Sequence, residues 1–153
     1  MTRMVDQILQ QHAFLQGLSP VHVADLCALA REVTFEEDEV ILMEGQLSSA
    51  FYLLCSGSVS IELRTPRYVI CVEALGPGQA FGWSALLQHQ DTLFQVRARE
   101  RTTALCLDGA ALKDKCRTNS ELGVEILQRT LALVAGRVKA TEIRFAEMCG
   151  IRS

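Results

Sequence analysis

The spacing of apolar residues along the chain changes twice. Val5, Ile8, Leu9, His12 and Leu15 recur at helical spacing, which predicts a helix over residues 3–16, ended by Gly17. Ser19-Pro20 then restarts a helix, with Ser as N-cap and Pro at the first helical position. Val21, Leu26, Leu29 and Ala30 give that second helix its apolar side. From Val33 the period becomes two. Val33–Phe35, Val40–Met43, Phe51–Cys55, Val59–Leu63 and Val69–Val72 are short runs rich in β-branched and aromatic residues, separated by turn residues. Leu93–Ala98 and Thr102–Leu107 continue the pattern further on. Strands this short and evenly spaced predict an antiparallel roll or jelly roll.

Between the two groups of strands lies Leu75-Gly76-Pro77-Gly78-Gln79-Ala80-Phe81-Gly82-Trp83-Ser84-Ala85-Leu86-Leu87. Gly76, Pro77 and Gly78 predict a tight turn, and Gln79 to Phe81 a short extended piece. Gly82 lets the backbone swing into a helix placed at 82–88. The amides of Gly82 to Ala85, at a helix start, form an anion site by construction.

After Asp108-Gly109 the period returns to helical. Ala110–Cys116 predicts a short helix, and Asn119 or Ser120 caps a long one. The long helix carries two stripes. Leu122, Ile126, Thr130 and Leu133 suit packing on the roll. Val124, Leu127, Leu131, Val134, Val138, Thr141, Phe145 and Met148 are spaced 3-4-3-4-3-4-3, a heptad seam that calls for a partner helix. No second long helix is present in the pattern, so the expected partner is a second copy.

Composition narrows the classes. The 153 residues make one domain, read as N-terminal helices (1–31), β-roll (32–109) and C-terminal helices (110–153): an α+β fold. A net charge of −3 and a pI near 5.6 argue against nucleic acid as the main partner. No apolar run reaches membrane-span length, and the N-terminus lacks a signal-peptide core, so a cytoplasmic location is expected. Six scattered cysteines with no C-x-x-C read as reduced thiols, several on core strands. His12 and His22 have no ligand-spaced partner and read as surface residues rather than metal ligands. Arg97, Arg99 and Arg101 alternate. They form either an anion-binding ladder or a solvated outer face, and the latter is favoured because Val96 and Ala98 would face the core.

Several motifs in order carry a family resemblance: Phe35-x-x-Asp38-Glu39-Val40-Ile41-x-x-Glu44-Gly45, then Phe51-Tyr52-x-Leu54-x-x-Gly57-x-Val59-x-Ile61, then Leu75-Gly76-Pro77-Gly78-x-x-Phe81-Gly82, a return strand ending in Leu107-Asp108, and a long helix. Together they resemble the cyclic-nucleotide-binding domain of the catabolite-activator and Fnr type, over nearly the whole chain. Asp38 stands where that family usually has Gly, a mild departure because Asp tolerates left-handed φ.

The resemblance implies a phosphate-binding cassette: Phe-Gly-Glu-apolar-small, then Arg, Ser or Thr, and Ala. In the family the Glu takes the ribose 2′-hydroxyl and the Arg pairs the cyclic phosphate. Here Phe81-Gly82 is followed by Trp83, Ser84 and Ala85. Counting back from Val96-Arg97-Ala98, the second motif falls on Thr92-Leu93-Phe94. Trp83 thus replaces the Glu and Thr92 the Arg. Hydrogen bonds to charged groups contribute about 1.5–3 kcal/mol each, so losing both weakens a cyclic nucleotide by roughly two to four decades. Trp83 either fills the sugar site or lies over the mouth to stack a flat ligand. Ala135-Gly136-Arg137-Val138-Lys139-Ala140-Thr141 resembles the family's dimer-helix motif, which implies that Arg137 borders the ligand and Thr141 meets a bound base; helix packing is the plain alternative for Thr141.

Rival classes find less support. Gly82-Trp83-Ser84-Ala85 faintly resembles a nucleophile elbow, but the second Gly is replaced by Leu86, His89 is too close in sequence, and no doubly wound pattern exists. A DNA-binding regulator needs a helix-turn-helix after the long helix, and the sequence stops at Ser153. A haem sensor needs an axial His or Cys in the pocket; Cys71 and Cys106 qualify only as buried thiols. The expected protein is a stand-alone, non-catalytic sensor or regulatory subunit. It is a homodimer through the long helix, with an unidentified regulated protein and no direct contact with DNA or membrane. No cofactor is certain; the pocket takes a cyclic nucleotide or another small anion. The alternative is a degenerate domain that binds no nucleotide and serves as a dimeric interaction module.

Overall fold

A computed structural model describes residues 4–87 and 93–150. It contains eight strands: β1 (Ala30–Phe35), β2 (Val40–Leu42), β3 (Ala50–Ser56), β4 (Val59–Arg64), β5 (Val69–Leu75), β6 (Ala80–Phe81), β7 (Phe94–Ala98) and β8 (Thr102–Asp108). They form two four-stranded sheets in the orders β1-β8-β3-β6 and β2-β7-β4-β5, and every pairing is antiparallel. Four helices flank them: α1 (Met4–Gln11), α2 (Pro20–Cys27), α3 (Gly109–Thr118) and α4 (Ser120–Met148). The antiparallel roll with N-terminal helices and a long C-terminal helix is therefore as expected.

Alternation within the strands makes two cores. Leu54, Val59, Ile61, Leu75, Phe81 and Val96 meet between the sheets. Phe51, Leu53, Leu105 and Leu107 point the other way, onto Leu9, Leu26, Leu112, Leu122 and Ile126 of the helices. β3 and β8 are thus covered on both faces, which is why both read as nearly continuous apolar runs. The roll-facing stripe of α4 is as expected: Leu122, Ile126 and Thr130 are buried, and Leu133 packs beside them.

Several local expectations are corrected. The first helix does not run over 3–16. It stops at Gln11, and a 3-10 turn at Ala13–Leu15 follows, because the His12 ring caps that turn by accepting the Phe14 amide at 3.2 Å. His12 is not a surface residue; it is buried, and its Nε2 donates to the Leu54 carbonyl at 2.7 Å. His22 is half-buried, with Nε2 4.0 Å from Glu121. In α2, Val21 faces solvent and Val23, Leu26 and Cys27 are buried. Leu29 and Ala30 lie past its end. Ser19 caps the helix as expected, accepting the His22 amide. Of the cysteines, Cys106 is buried on a strand and Cys27 on a helix, whereas strand Cys55 and Cys71 are only half-buried.

Arg97 is on the outer face of the sheet, as expected, but only a third of its side chain is exposed and it is ion-paired rather than free. It lies over Glu62, which is 2% exposed on the outer side of β4. Its Nε donates to the Glu62 carboxylate at 3.0 and 3.1 Å, and Nη2 at 2.6 Å. Nη1 reaches Asp38 at 2.7 Å. Ser60 and Gln95 complete the acid's partners. These hydrogen bonds outweigh burial, the largest single effect, and hold the Glu62 carboxyl below its ordinary pKa; the Glu62 contact raises that of Arg97. Arg101 stays exposed, 3.5 Å from Glu36. Val96 and Ala98 are buried as expected.

Candidate functional site

The cassette-like stretch leaves β6 at Phe81, whose ring stacks on Tyr52 at 4.8 Å; Phe35 meets the Tyr52 edge at 5.8 Å. Gly82 follows with φ +85. A Cβ there would lie 2.6 Å from the Ala50 carbonyl and 3.1 Å from the Tyr52 ring, so only glycine fits. The helix expected at 82–88 is a single 3-10 turn, Trp83–Leu86, because the chain turns extended at Leu87. Ala85 is buried beneath the start of α3, where a Cβ on Gly109 would come within 2.8 Å of the Ala85 Cβ. Its amide closes the turn on the Gly82 carbonyl at 3.0 Å, so it is not part of a free amide nest. The Ser84 hydroxyl accepts the Ser48 amide at 3.3 Å.

Under this turn lies a cavity of about 30 Å³, lined by Leu42, Ile61, Phe81, Gly82, Trp83, Ser84, Phe94, Val96 and Arg137. Ordinary small-molecule pockets are about 300–1,000 Å³; this one has room for roughly two waters. Trp83 both lines it and packs against the helix-side core. Phe94 packs into the core between the sheets. Arg137 is the one charged residue of the lining among the described residues. Its side chain is 12% exposed, and its Nε donates to Glu73 of β5 at 2.8 Å.

The structure thus brings together Phe81, Gly82, Trp83, Ser84, Phe94 and Arg137. It does not bring Ala85, Leu93 or Thr141 to the cavity lining. Leu93 is 75% exposed, and the Thr141 hydroxyl donates to the Arg137 carbonyl at 2.8 Å on α4 itself. Thr92 and His89 lie outside the described residues. Sequence reasoning missed Leu42, Ile61 and Val96 as lining, although their alternation within β2, β4 and β7 marks the inward face. It also missed Glu73, for which no local signal exists: Arg137 is 64 residues away.

Along α4 the seam positions are open. Val124, Leu127, Leu131, Val138, Phe145 and Met148 are each at least half exposed, and Val134 and Thr141 are half-buried. Among the described residues no group of three or more His, Cys, Asp or Glu side chains is placed to hold a metal ion, and no helix is long and apolar enough to cross a membrane.

Comparison with known proteins gives a consistent picture. The family model described as the cyclic nucleotide-binding domain matches residues 32–119. A CRP-like cAMP-activated global transcriptional regulator of Mycobacterium tuberculosis is 23% identical over 145 residues, 94% of this chain; the chain spans 63% of that regulator's length. A cyclic nucleotide-binding domain from Methylobacillus flagellatus superposes with a TM-score of 0.81 at 20% identity, over 94% of this chain and 85% of that one. The regulatory subunit of a cAMP-independent protein kinase A from Trypanosoma brucei superposes with a TM-score of 0.73 at 19% identity, over 95% of this chain and 50% of that one. A variant of that subunit with Glu→Ala, Thr→Arg and Val→Ala changes is bound to cAMP in its A site.

Proposed function

The chain belongs to the cyclic nucleotide-binding domain family, and from that premise we propose that it is a non-catalytic, ligand-sensing regulatory domain whose cassette no longer favours cyclic AMP or GMP. Residues 32–109 form the sensing roll, and residues 110–153 carry the response. The observation behind this reading is the cavity under Gly82. Trp83 and Phe94 wall a space of about 30 Å³ at positions where the family motif has an acid and a small residue. A cyclic nucleotide entering there would have to displace both rings and would meet neither the usual acid nor the usual arginine.

The exposed heptad seam supports a homodimer through α4, with the two seams parallel about a two-fold axis. In such a dimer, movement of Glu73 on β5 reaches Arg137 on α4 through their 2.8 Å contact, and so reaches the seam of the same helix; an unidentified regulated protein reads the result. A cytoplasmic location goes with this reading, and the acidic balance supports the lack of direct contact with DNA or an anionic membrane surface. A degenerate dimeric module that binds no small molecule is the second reading, favoured by the same small cavity.

The double variant Trp83→Glu with Thr92→Arg separates the two. The sensing reading expects it to gain cyclic AMP binding cooperatively, since a lone Arg is costly to bury and a lone Glu repels the anion. The Thr→Arg change in the cAMP-bound kinase subunit variant is a parallel in that other protein. A double variant that folds yet ignores cyclic AMP in calorimetry favours the degenerate module.

A further inference from the structure

A second cavity lies behind Arg137, and it is much larger than the first. It holds about 370 Å³ between α4, β5 and the turn at Gly76–Gln79. Phe14, Leu75, Ala80 and Leu133 supply apolar walls, and Glu73, Arg129 and Arg137 are its charged lining. Arg129 is consumed by structure. Its Nε and Nη2 donate to the carbonyls of Phe14 (3.0 Å) and Gln16 (2.6 Å), and Nη1 pairs with Glu125. Arg137 is different. Only its Nε is engaged, by Glu73, and its two terminal nitrogens have no hydrogen-bond partner among the described residues. Neither nitrogen is a sealed, unsatisfied atom. A guanidinium carries five N–H donors in a planar fork, so four remain for a planar anion.

Gly136 keeps this groove open. A Cβ there would meet nothing within 4 Å, so no packing in the chain requires glycine, and a glycine inside a helix is destabilising. Gly136 is two residues from both Val134 and Val138, roughly 200° around the helix from each. The groove therefore faces away from the seam and stays open in a seam dimer.

We propose that this groove, rather than the cassette, is the chain's ligand site, and that it takes an aromatic monocarboxylate. The carboxylate bridges the two terminal nitrogens of Arg137 and the flat body lies against Phe14, Leu75 and Leu133. A single negative charge matches the open terminal donors of Arg137, whereas a dianion meets repulsion from Glu73, which already holds the Arg137 Nε. Arg137 also lines the cassette cavity, so occupancy of the groove reaches both the roll and α4. The inference rests on the reading above that the cassette itself is filled.

The test is calorimetric titration of the wild-type protein with 2-naphthoate, 2-naphthamide and cyclic AMP, repeated on Gly136→Leu and Arg137→Lys. The leucine fills the groove at a position with open space and improves helix propensity, so the fold is retained. Naphthoate is expected to bind at least about tenfold more tightly than the neutral amide, as a charged hydrogen-bonded contact requires. Gly136→Leu and Arg137→Lys should each weaken it by about tenfold or more. Equal affinity for acid and amide, binding that survives Gly136→Leu, or no binding of naphthoate at about 5 mM overturns the groove site. Tight cyclic AMP binding that survives Gly136→Leu overturns the filled cassette instead, so the two failures are distinct.

Discussion

Replacing Arg97 by methionine should leave a buried carboxylate without its cation. Glu62 is 2% exposed and would keep only the Ser60 hydroxyl and the Gln95 amide. Breaking a buried pair by removing one partner costs about 3–5 kcal/mol. The Arg97 side chain is 33% exposed, so water can approach the acid once it is gone, and the lower end, about 3 kcal/mol, is expected. For a chain of this size that is roughly 6–12 °C in melting temperature. The pH response should also invert. In the wild type the Glu62 pKa is lowered, so its contribution is complete above the ordinary carboxylate value near 4.5 and is lost as pH falls through the folded value. In Arg97→Met burial dominates and raises it, so the variant loses stability as pH rises from 4.5 towards its folded value. Glu62→Gln should cost less than Arg97→Met, because Arg97 can turn to Asp38 and solvent, and Arg97→Met with Glu62→Gln should recover part of the single-variant loss. Urea denaturation of the four proteins at pH 5 and pH 7 measures this. A loss under about 1 kcal/mol for Arg97→Met, or strict additivity in the cycle, would refute the account of a buried, coupled pair.

Two further outcomes are expected. Burial lowers the pKa of His12 below 6.5, against the opposing pull of its bond to Leu54. The unfolded chain therefore takes up this proton first, and stability should be full above pH 6.5 and decline as pH falls through it, a trend that His12→Gln flattens; denaturation midpoints unchanged between pH 7.5 and pH 5.5 would count against the buried neutral ring. Val134→Glu with Val138→Glu should convert a dimer into monomers in light scattering, and a wild type already monomeric at high concentration would show the seam reading to be wrong.

The strands and α4 were legible because period-two and heptad spacing are local properties, each read within its own stretch of chain. The interior of the roll was half legible. Val96 and Ala98 face inward as their alternation says, yet Arg97 between them is only a third exposed and is tied to a buried acid, because Glu62 comes from a strand 35 residues away. His12 hides for the same reason: its partner carbonyl is Leu54, 42 residues on. The first helix broke where a side chain competed for a backbone amide, a choice that apolar periodicity does not register. At the site, the replacements at Trp83 and Phe94 were visible in the motif, but their packing was not. The Glu73–Arg137 pair, and the groove behind it, needed the fold to bring β5 against α4.

The central claim is that the cassette has lost its preference for cyclic nucleotides while the family fold is kept. Calorimetric titration of the wild-type protein with cyclic AMP tests this most directly. On the proposed alignment, which puts Trp83 and Thr92 at the positions of the charged ligands, the dissociation constant should lie well above about 1 μM, or no heat should be seen. Sub-micromolar binding would contradict the account, and would mean that the two rings walling the cavity move aside for the nucleotide.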